Sequence, residues 1–166
     1  DIEPEEIGRN RSIDLPIFSD IRGFLKACNQ VIDDQGISEK LQQVFKGWIE
    51  TLKKAEVDGK AEAMPNWESD NVPIHPLRLA KEVNDFMNRE DDIVVADGGD
   101  TAIWTGMTRT VRKAGHYQDS GLFGCLGVGL PYANTAKLLN PNSRVCLMIG
   151  DGSVGFNFME FENAIR

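Results

Sequence analysis

The chain has 166 residues, about the length of one domain. Hydrophobic residues make up 41% and charged residues 27% of the sequence, which excludes collagen-like, disordered and disulfide-scaffold proteins. The net charge of -8, with no basic block, argues against nucleic acid and against an anionic membrane surface as partners. The longest apolar run, Val145–Ile149, is too short to cross a bilayer. Three cysteines without metal-ligand spacing predict reduced, mostly buried thiols, and we expect a cytoplasmic location.

The first third of the sequence predicts one short strand and two amphipathic helices. The segment Ser12–Phe18 alternates weakly between apolar and polar residues and predicts the strand. Asp20 is a typical N-cap for the first helix, and Gly36 is expected to end it. Ser38 is the expected cap of a second helix, whose apolar residues recur at helical spacing as far as Leu52.

A change of composition divides the sequence after the second helix. Residues 55–73 are polar and contain two prolines and a glycine, which predicts a linker or domain boundary. We therefore expect residues 1–54 and residues 74–166 to belong to different domains.

The second half of the sequence alternates strands, glycine-rich turns and helices. The predicted elements are a helix from Pro76, strand Asp92–Asp97, helix Thr101–Met107, helix Pro131–Leu139, strand Arg144–Ile149 and helix Phe156–Arg166. This alternation predicts an α/β fold with a parallel sheet. Two strands are too few for a complete sheet with both faces covered, so we expect a piece of a longer protein. The run Glu90–Asp92 is most simply a solvated turn.

The tetrapeptide Gly150-Asp151-Gly152-Ser153 lies between a predicted strand and the last helix. Open α/β sheets bind ligands at the carboxyl ends of their strands. Backbone amides of Gly152 and Ser153 would favour an anion such as a phosphate. Asp151 beside that phosphate implies a divalent cation between them, most simply Mg²⁺. The alternative is a plain strand-to-helix turn in which Asp151 or Ser153 is the N-cap.

A second glycine-rich segment covers residues 121–131. A dinucleotide-binding fingerprint needs a third glycine where Tyr132 stands, and it needs a preceding strand that is missing here. Pro131 also lies inside the motif. The segment therefore disfavours dinucleotide binding, and its simplest interpretation is a flexible turn that leads into a buried helix.

The two segments together resemble one known family. Residues 124–131, a helix, a strand and then Gly150–Ser153 are similar to the thiamine-diphosphate-dependent enzymes. The best match is the acetolactate synthase-like branch, which also contains 2-hydroxyacyl-CoA lyases, oxalyl-CoA decarboxylases and benzaldehyde lyase. Residues 92–104 resemble the opening of the family's cofactor domain, and residues 1–10 resemble part of its middle domain. The resemblance implies the C-terminal part of a Rossmann-like middle domain at 1–54, a linker at 55–73, and the N-terminal half of a parallel-sheet diphosphate-binding domain at 74–166.

The resemblance also implies roles for individual residues. The implied cofactor-binding residues are Asp100, Thr101, Gly124, Leu126, Gly150, Asp151, Gly152 and Ser153. Asp151 matches the aspartate that ligates Mg²⁺ in the family. Gly152 and Ser153 match its backbone donors to the diphosphate, and Asp100 and Thr101 match a turn that also touches the diphosphate.

Two further matches concern the ring end of the cofactor. Leu126 matches the bulky apolar residue that holds thiamine diphosphate in a bent shape, and Gly124 matches a carbonyl that accepts a hydrogen bond from the aminopyrimidine. The family's activating glutamate and its second Mg²⁺ ligand have no match here, and Asn157 is too close to Asp151 to be that ligand. No catalytic residue is therefore assigned, and we expect the 166 residues alone to bind the cofactor weakly and to be inactive. Near Asp1, where some relatives contact FAD or ADP, such a nucleotide stays an open alternative.

The implied activity is the formation or cleavage of a C–C bond next to a carbonyl, on a 2-keto acid or 2-hydroxyacyl substrate. The alternatives are a 2-hydroxyacyl-CoA lyase or oxalyl-CoA decarboxylase-like enzyme and, in another class, a non-catalytic α/β module that keeps only the fold. The family also implies a homodimer or homotetramer, because its active sites lie between subunits. His116 would face the substrate or serve a structural role, and the second is favoured because no partner residue is evident.

Overall fold

The computed structural model describes residues 1–166 as two compact units, Asp1–Gly59 and Lys60–Arg166. The regular elements are α1 (Ile21–Gln35), α2 (Ser38–Trp67), α3 (Pro76–Phe86), β1 (Ile93–Asp97), α4 (Gly99–Thr108), β2 (Tyr117–Gln118), α5 (Gly129–Leu139), β3 (Val145–Ile149), α6 (Asp151–Phe156) and α7 (Glu160–Ile165). None of the helices combines the length and the apolar character that a membrane crossing requires.

The first helix begins and ends where the sequence predicts. The side chain of Asp20 accepts a hydrogen bond from the Gly23 amide at 2.9 Å, which satisfies one of the free amides of the first turn. Gly36 ends α1 with a left-handed backbone (φ 60°), a conformation that costs little only for glycine.

The predicted strand at Ser12–Phe18 is wrong, because this segment has no regular structure. Near its end, the Asp1 amino group donates to the Ile17 carbonyl and the Ser19 amide donates to the Asp1 carbonyl, both at 3.0 Å. Two bonds to one residue do not make a ladder, and an alternating pattern becomes a strand only beside a neighbouring strand.

The second helix is longer than the sequence predicts. α2 continues past Leu52 to Trp67 and includes Gly59 and Pro65. Glycine and proline lower helix stability but do not forbid a helix, and exposed pairs such as Lys54–Asp58 (Nζ to Oδ2 2.5 Å) support it. Most of the predicted linker is therefore helical, whereas the assignment of the flanking parts to two domains stays a prediction.

A parallel three-stranded sheet forms the centre of the second unit, with the strand order β2-β1-β3. All five residues of β1 are buried, as the β-branched run predicts. Ile93 and Val95 of β1 form the core with Ala136 of α5, and Val145 and Leu147 of β3 pack against it. The predicted α/β class is confirmed, and β2 is an additional strand that the sequence analysis missed.

Asp92, which the sequence places in a solvated turn, is instead 1% exposed. Its carboxylate accepts hydrogen bonds from Arg144 Nε at 2.8 Å and Nη2 at 2.5 Å, and from the Arg89 amide at 2.8 Å. The bonds from Arg144 hold the pKa of Asp92 below its ordinary value, although burial acts in the opposite direction. A charged residue can be buried when it is paired in this way, and the pair ties the starts of β1 and β3 together.

The predicted helix at Phe156–Arg166 is shorter than expected, because only Glu160–Ile165 form α7 and Phe156 is the last residue of a separate helix, α6. α6 begins directly at Asp151 and ends at Phe156, and α7 starts at Glu160. Asn157 leaves the helical conformation (φ -135°, ψ 40°), and its side chain bonds to a loop 30 residues earlier in the chain.

The three cysteines are free, as expected. Cys28 and Cys146 are partly buried, but Cys125 is exposed, so the expectation of mostly buried thiols is wrong for Cys125. Burial raises the pKa of the Cys146 thiol.

Candidate functional site

Two helices begin side by side at the carboxyl edge of the sheet. Asp97, the last residue of β1, is in register with Ile149, the last residue of β3. The chain passes from each strand through one glycine, Gly98 or Gly150, into α4 or α6. The Gly150 amide donates to the Asp97 carbonyl at 3.0 Å, so a hydrogen bond joins the two strand-to-helix turns directly.

Gly98 allows these two helix starts to touch. Its φ of +96° is a conformation that side chains rarely adopt. A Cβ atom here would lie 2.7 Å from Ser153 Oγ and 3.1 Å from the Gly150 amide nitrogen. Only glycine fits this close approach of α4 and α6.

Neither helix start is capped by a side chain. In α4 and α6 the first amides that bond back into the helix are those of Ala102 and Val154, each at 3.1 Å. The N-cap expected for a plain turn, Asp151 or Ser153, is therefore wrong, because Gly150 holds that position. The amides before Ala102 and Val154 have no acceptor within their helices, and the positive ends of both helix dipoles meet here. An anion with several oxygens would satisfy both sets of donors.

The glycine-rich loop is held at this edge by Asp97, which is 1% exposed. Its Oδ2 atom accepts hydrogen bonds from the Gly127 amide at 2.9 Å and the Gly129 amide at 2.8 Å. A Cβ atom on Gly129 would lie 2.7 Å from Asp97 Cβ, so the start of α5 packs directly on the end of β1. The other carboxylate oxygen, Oδ1, is buried without a partner.

The same loop is held from the other side by the end of α6. Asn157 Nδ2 donates to the Gly127 carbonyl at 2.7 Å. Gly127 has φ +88°, and a Cβ atom there would lie 2.5 Å from Phe156 Cβ. The loop therefore contacts the end of β1 and the end of α6 through one residue.

The structure brings three of the predicted site residues together. Thr101 Oγ1 is 3.6 Å from the position that a Cβ atom of Gly150 would occupy, and Ser153 Oγ lies against Gly98. Thr101 is partly buried and Ser153 is 2% exposed. These residues line the place where α4 and α6 meet.

The other predicted site residues are exposed. Asp100 lies in the first turn of α4, and Asp151 and Gly152 lie in the first turn of α6. Gly124 ends a short 3₁₀ turn with φ +65°. Leu126 is 43% exposed and directly precedes Gly127, the loop residue that Asp97 and Asn157 bind. Cβ atoms on Gly124 and Gly152 would meet nothing within 4 Å, which leaves open space in front of both segments.

The two histidines lie away from this edge. His116 comes just before β2, at the opposite end of the strands from the α4 and α6 starts, and it is 6% exposed. Its carbonyl accepts a hydrogen bond from the Val94 amide, which supports the structural role. His75 caps α3, since its Nδ1 atom accepts from the Leu77 amide at 3.2 Å.

Sequence reasoning missed three residues of this region: Gly98, Asp97 and Asn157. The sequence patterns assign no role to Gly98, and they mark Asp97 only as the last residue of a strand. A usable signal was the aspartate itself, because a charge at the end of a buried apolar run needs donors nearby. Asn157 was considered only as a metal ligand.

The donors at this edge fit a diphosphate and a hard cation. Backbone amides from two helix starts suit phosphate oxygens, and the exposed carboxylate of Asp151 suits Mg²⁺. The chain holds no cluster of three or more His, Cys, Asp or Glu side chains arranged for a metal. A cation beside Asp151 would therefore take most of its ligands from elsewhere, including the phosphate oxygens.

The comparison with known proteins agrees with this chemistry. Residues 97–166 match the family model "Thiamine pyrophosphate enzyme, C-terminal TPP binding domain". A "Probable acetolactate synthase" of Mycobacterium bovis is 34% identical over 151 residues, which is 91% of this chain and 26% of that protein. The "Acetolactate synthase large subunit" of Lactococcus lactis is 31% identical over 165 residues, 99% of this chain and 26% of that protein. The "2-hydroxyacyl-CoA lyase 2" of Danio rerio is 36% identical over 120 residues, 72% of this chain and 19% of that protein.

The fold is an α/β domain in which two uncapped helix starts meet at the carboxyl edge of a parallel sheet, and the family match places it in the class of thiamine pyrophosphate-binding domains. The chain belongs to the thiamine-diphosphate-dependent, acetolactate synthase-like family. It spans about a quarter of the length of the acetolactate synthases that it matches, 26% in each case.

Proposed function

We propose that this chain is part of an enzyme that uses thiamine diphosphate and Mg²⁺ to form or cleave a C–C bond next to a carbonyl. The observation that carries the proposal is the meeting of two uncapped helix starts, at Gly98 and Gly150, beside the glycine-rich loop. The match of residues 97–166 to a thiamine pyrophosphate-binding domain supports this use of the site.

The diphosphate would lie between the first turns of α4 and α6. Backbone amides of Gly152 and Ser153 would donate to its oxygens from one side, and the turn of Asp100 and Thr101 would contact it from the other. Two exposed carboxylates in these turns, those of Asp100 and Asp151, would repel a bare diphosphate. Asp151 would therefore bind it through Mg²⁺, as one ligand of the cation.

The loop would support the ring end of the cofactor. Leu126 would contact the rings through its exposed apolar side chain, and the Gly124 carbonyl would accept a hydrogen bond from the aminopyrimidine. Thiamine diphosphate, when bound, supplies an electron sink for the substrate's carbonyl carbon, so that a C–C bond to this carbon can form or break. The contribution of this chain is then to bind the cofactor and to orient it.

The relatives suggest two activities of the same chemical type. The acetolactate synthases match 91% and 99% of the chain, which favours a synthase that acts on 2-keto acids. A lyase that acts on 2-hydroxyacyl-CoA is the second candidate, because the fish enzyme has the higher identity, 36%, over a shorter stretch. Product analysis with a 2-keto acid and with a 2-hydroxyacyl-CoA would separate the two activities. A cytoplasmic location, a dimer or tetramer, and FAD or ADP near Asp1 stay predictions.

Calorimetric titration of thiamine diphosphate into the full-length protein, with and without Mg²⁺, tests the proposal. We expect Mg²⁺-dependent binding in the native protein and none in Asp151→Ala. Asp91→Ala is the matched control, because Asp91 is an exposed carboxylate at the opposite end of β1. Equal affinity in native protein and Asp151→Ala would contradict the role of Asp151, and no binding by the native protein would contradict the function.

A further inference from the structure

We propose that Asp97 and Asn157 are positioning residues that hold Gly127 from two sides and thereby fix Leu126 relative to Asp151. The inference rests on the proposed function, because the place of Leu126 matters only if it supports the cofactor. Neither side chain is proposed to touch cofactor or substrate.

The first contact fixes the peptide group that joins Leu126 to Gly127. The amide of this peptide group donates to Asp97 Oδ2 at 2.9 Å, and the Gly129 amide donates to the same oxygen at 2.8 Å. Both bonds are buried, where a hydrogen bond is costly to leave unmade. The peptide group that follows Leu126 is therefore anchored to the end of β1, and this restricts where the Leu126 side chain can lie.

The second contact joins the loop to the far end of α6. The Gly127 carbonyl accepts from Asn157 Nδ2 at 2.7 Å, and the Gly127 backbone packs on Phe156. Asn157 lies just outside α6 in a non-helical conformation, so its side chain is free to turn toward the loop. This hydrogen bond joins residues that are 30 positions apart in the sequence, so it connects the loop to α6 and is not part of either segment's own structure.

α6 connects this contact to the proposed cation site. It begins at Asp151 and ends at Phe156, and a helix of this length is a rigid rod of about 9 Å. Asn157 at one end binds the loop, while Asp151 at the other end carries the ligand for the cation. A shift of the loop against α6 would change the distance between the diphosphate end and the ring end of the cofactor site.

Variants of Asn157 test this most cleanly, because its side chain is exposed and not part of the core. Asn157→Ala removes the donor, and Asn157→Asp keeps the shape but places a carboxylate against the Gly127 carbonyl. Asn163→Ala is the matched control, since Asn163 also donates a side-chain bond, to Glu160 Oε2 at 2.9 Å, but on the surface of α7. All are made in the full-length protein.

The first readout needs no cofactor. Hydrogen exchange of residues 122–130, measured by mass spectrometry on the cofactor-free protein, reports how firmly the loop is held. We expect exchange about fivefold faster in both Asn157 variants, the factor that one ordinary hydrogen bond contributes to a local equilibrium. Asn163→Ala should exchange like the native protein. Asp97→Asn, which keeps an acceptor oxygen, should protect the loop better than Asp97→Ala.

The second readout is kinetic. In the Asn157 variants we expect kcat to fall about tenfold, because misplacement of supporting groups costs up to about a hundredfold. The dissociation constant of thiamine diphosphate with Mg²⁺ should change less than about twofold, since the diphosphate donors are untouched.

Faster exchange together with a lower kcat and an unchanged dissociation constant would support the proposal. Native exchange in both Asn157 variants would overturn it, and so would faster exchange with a native kcat. If the native protein binds no thiamine diphosphate, the proposed function fails while the exchange experiment still decides whether Asn157 and Asp97 hold the loop.

Discussion

Replacement of Gly98 by alanine tests the closest contact of the site. The added Cβ atom would lie 2.7 Å from Ser153 Oγ and 3.1 Å from the Gly150 amide nitrogen. The serine oxygen can turn away, but the Gly150 backbone cannot. The substitution must therefore push the start of α6 away from β1 and also hold alanine at φ +96°.

The two costs are of similar size. Backbone strain in a region that side chains rarely adopt costs about 2 kcal/mol. Overpacking against a fixed backbone costs about 2 kcal/mol more, in the middle of the range for small-to-large substitutions in a packed core. We therefore expect Gly98→Ala to lower the free energy of unfolding by about 4 kcal/mol.

Hydrogen exchange of the β1 amides at increasing urea concentrations, on the cofactor-free full-length protein, measures this loss for the domain concerned. Gly155→Ala is the control, because a Cβ atom at this exposed position in α6 meets nothing within 4 Å. Alanine there should raise stability by about 0.5 kcal/mol, since it restricts the unfolded chain. We also expect Gly98→Ala to weaken the binding of thiamine diphosphate with Mg²⁺ at least about tenfold, because the two sets of amides are moved apart.

A Gly98→Ala protein within about 1 kcal/mol of the native stability would refute this reasoning, because strain or overpacking alone exceeds that value. The same conclusion would follow if Gly98→Ala and Gly155→Ala behaved alike. A destabilised variant with native cofactor affinity would confirm that Gly98 is in close contact with the start of α6, but it would show that this contact does not affect cofactor binding.

Three further outcomes are expected. Leu126→Ala should lower kcat more than cofactor affinity, because it loosens the support of the cofactor rings. Steady-state kinetics with cofactor titration measure both quantities, and a native kcat would contradict this role of Leu126. Because the pKa of Asp92 is held low, its ionised form stabilises the fold at neutral pH, and this contribution is lost as the pH falls below about 4. The melting temperature of Asp92→Asn should therefore decline less on acidification than that of the exposed control Asp91→Asn. Parallel declines of the two melting temperatures would contradict the assignment. Iodoacetamide should alkylate exposed Cys125 before Cys146, whose pKa is raised by burial, and peptide mass spectrometry showing equal rates would contradict this order.

The position of the candidate site could be proposed from the sequence because the elements around it depend on short local patterns. Asp20 and Gly36 bound α1 as capping chemistry predicts, and the β-branched residues of β1 are buried as expected. Parallel strands followed by glycine turns place their ligands at the carboxyl edge, which is where Gly150 and Asp151 lie. These features need no information about distant residues.

The rest depends on contacts between distant segments. β2 has only two residues, and it is a strand because β1 lies beside it, not because of its own pattern. Asp92 is buried because Arg144, 52 residues away, neutralises it. Asn157, just after the end of α6, donates its side-chain amide to a carbonyl 30 residues away. No local pattern contains such partners.

The position of β3 at the edge of the sheet bears on how the protein can be handled in the laboratory. β3 pairs with β1 on one side only, and its five residues are apolar, uncharged and partly exposed. Unprotected edges of this kind recruit strands from other molecules and lead to aggregation. A preparation of these 166 residues by themselves would be prone to precipitate through Val145–Ile149, whereas a longer polypeptide that covers this edge would stay dispersed.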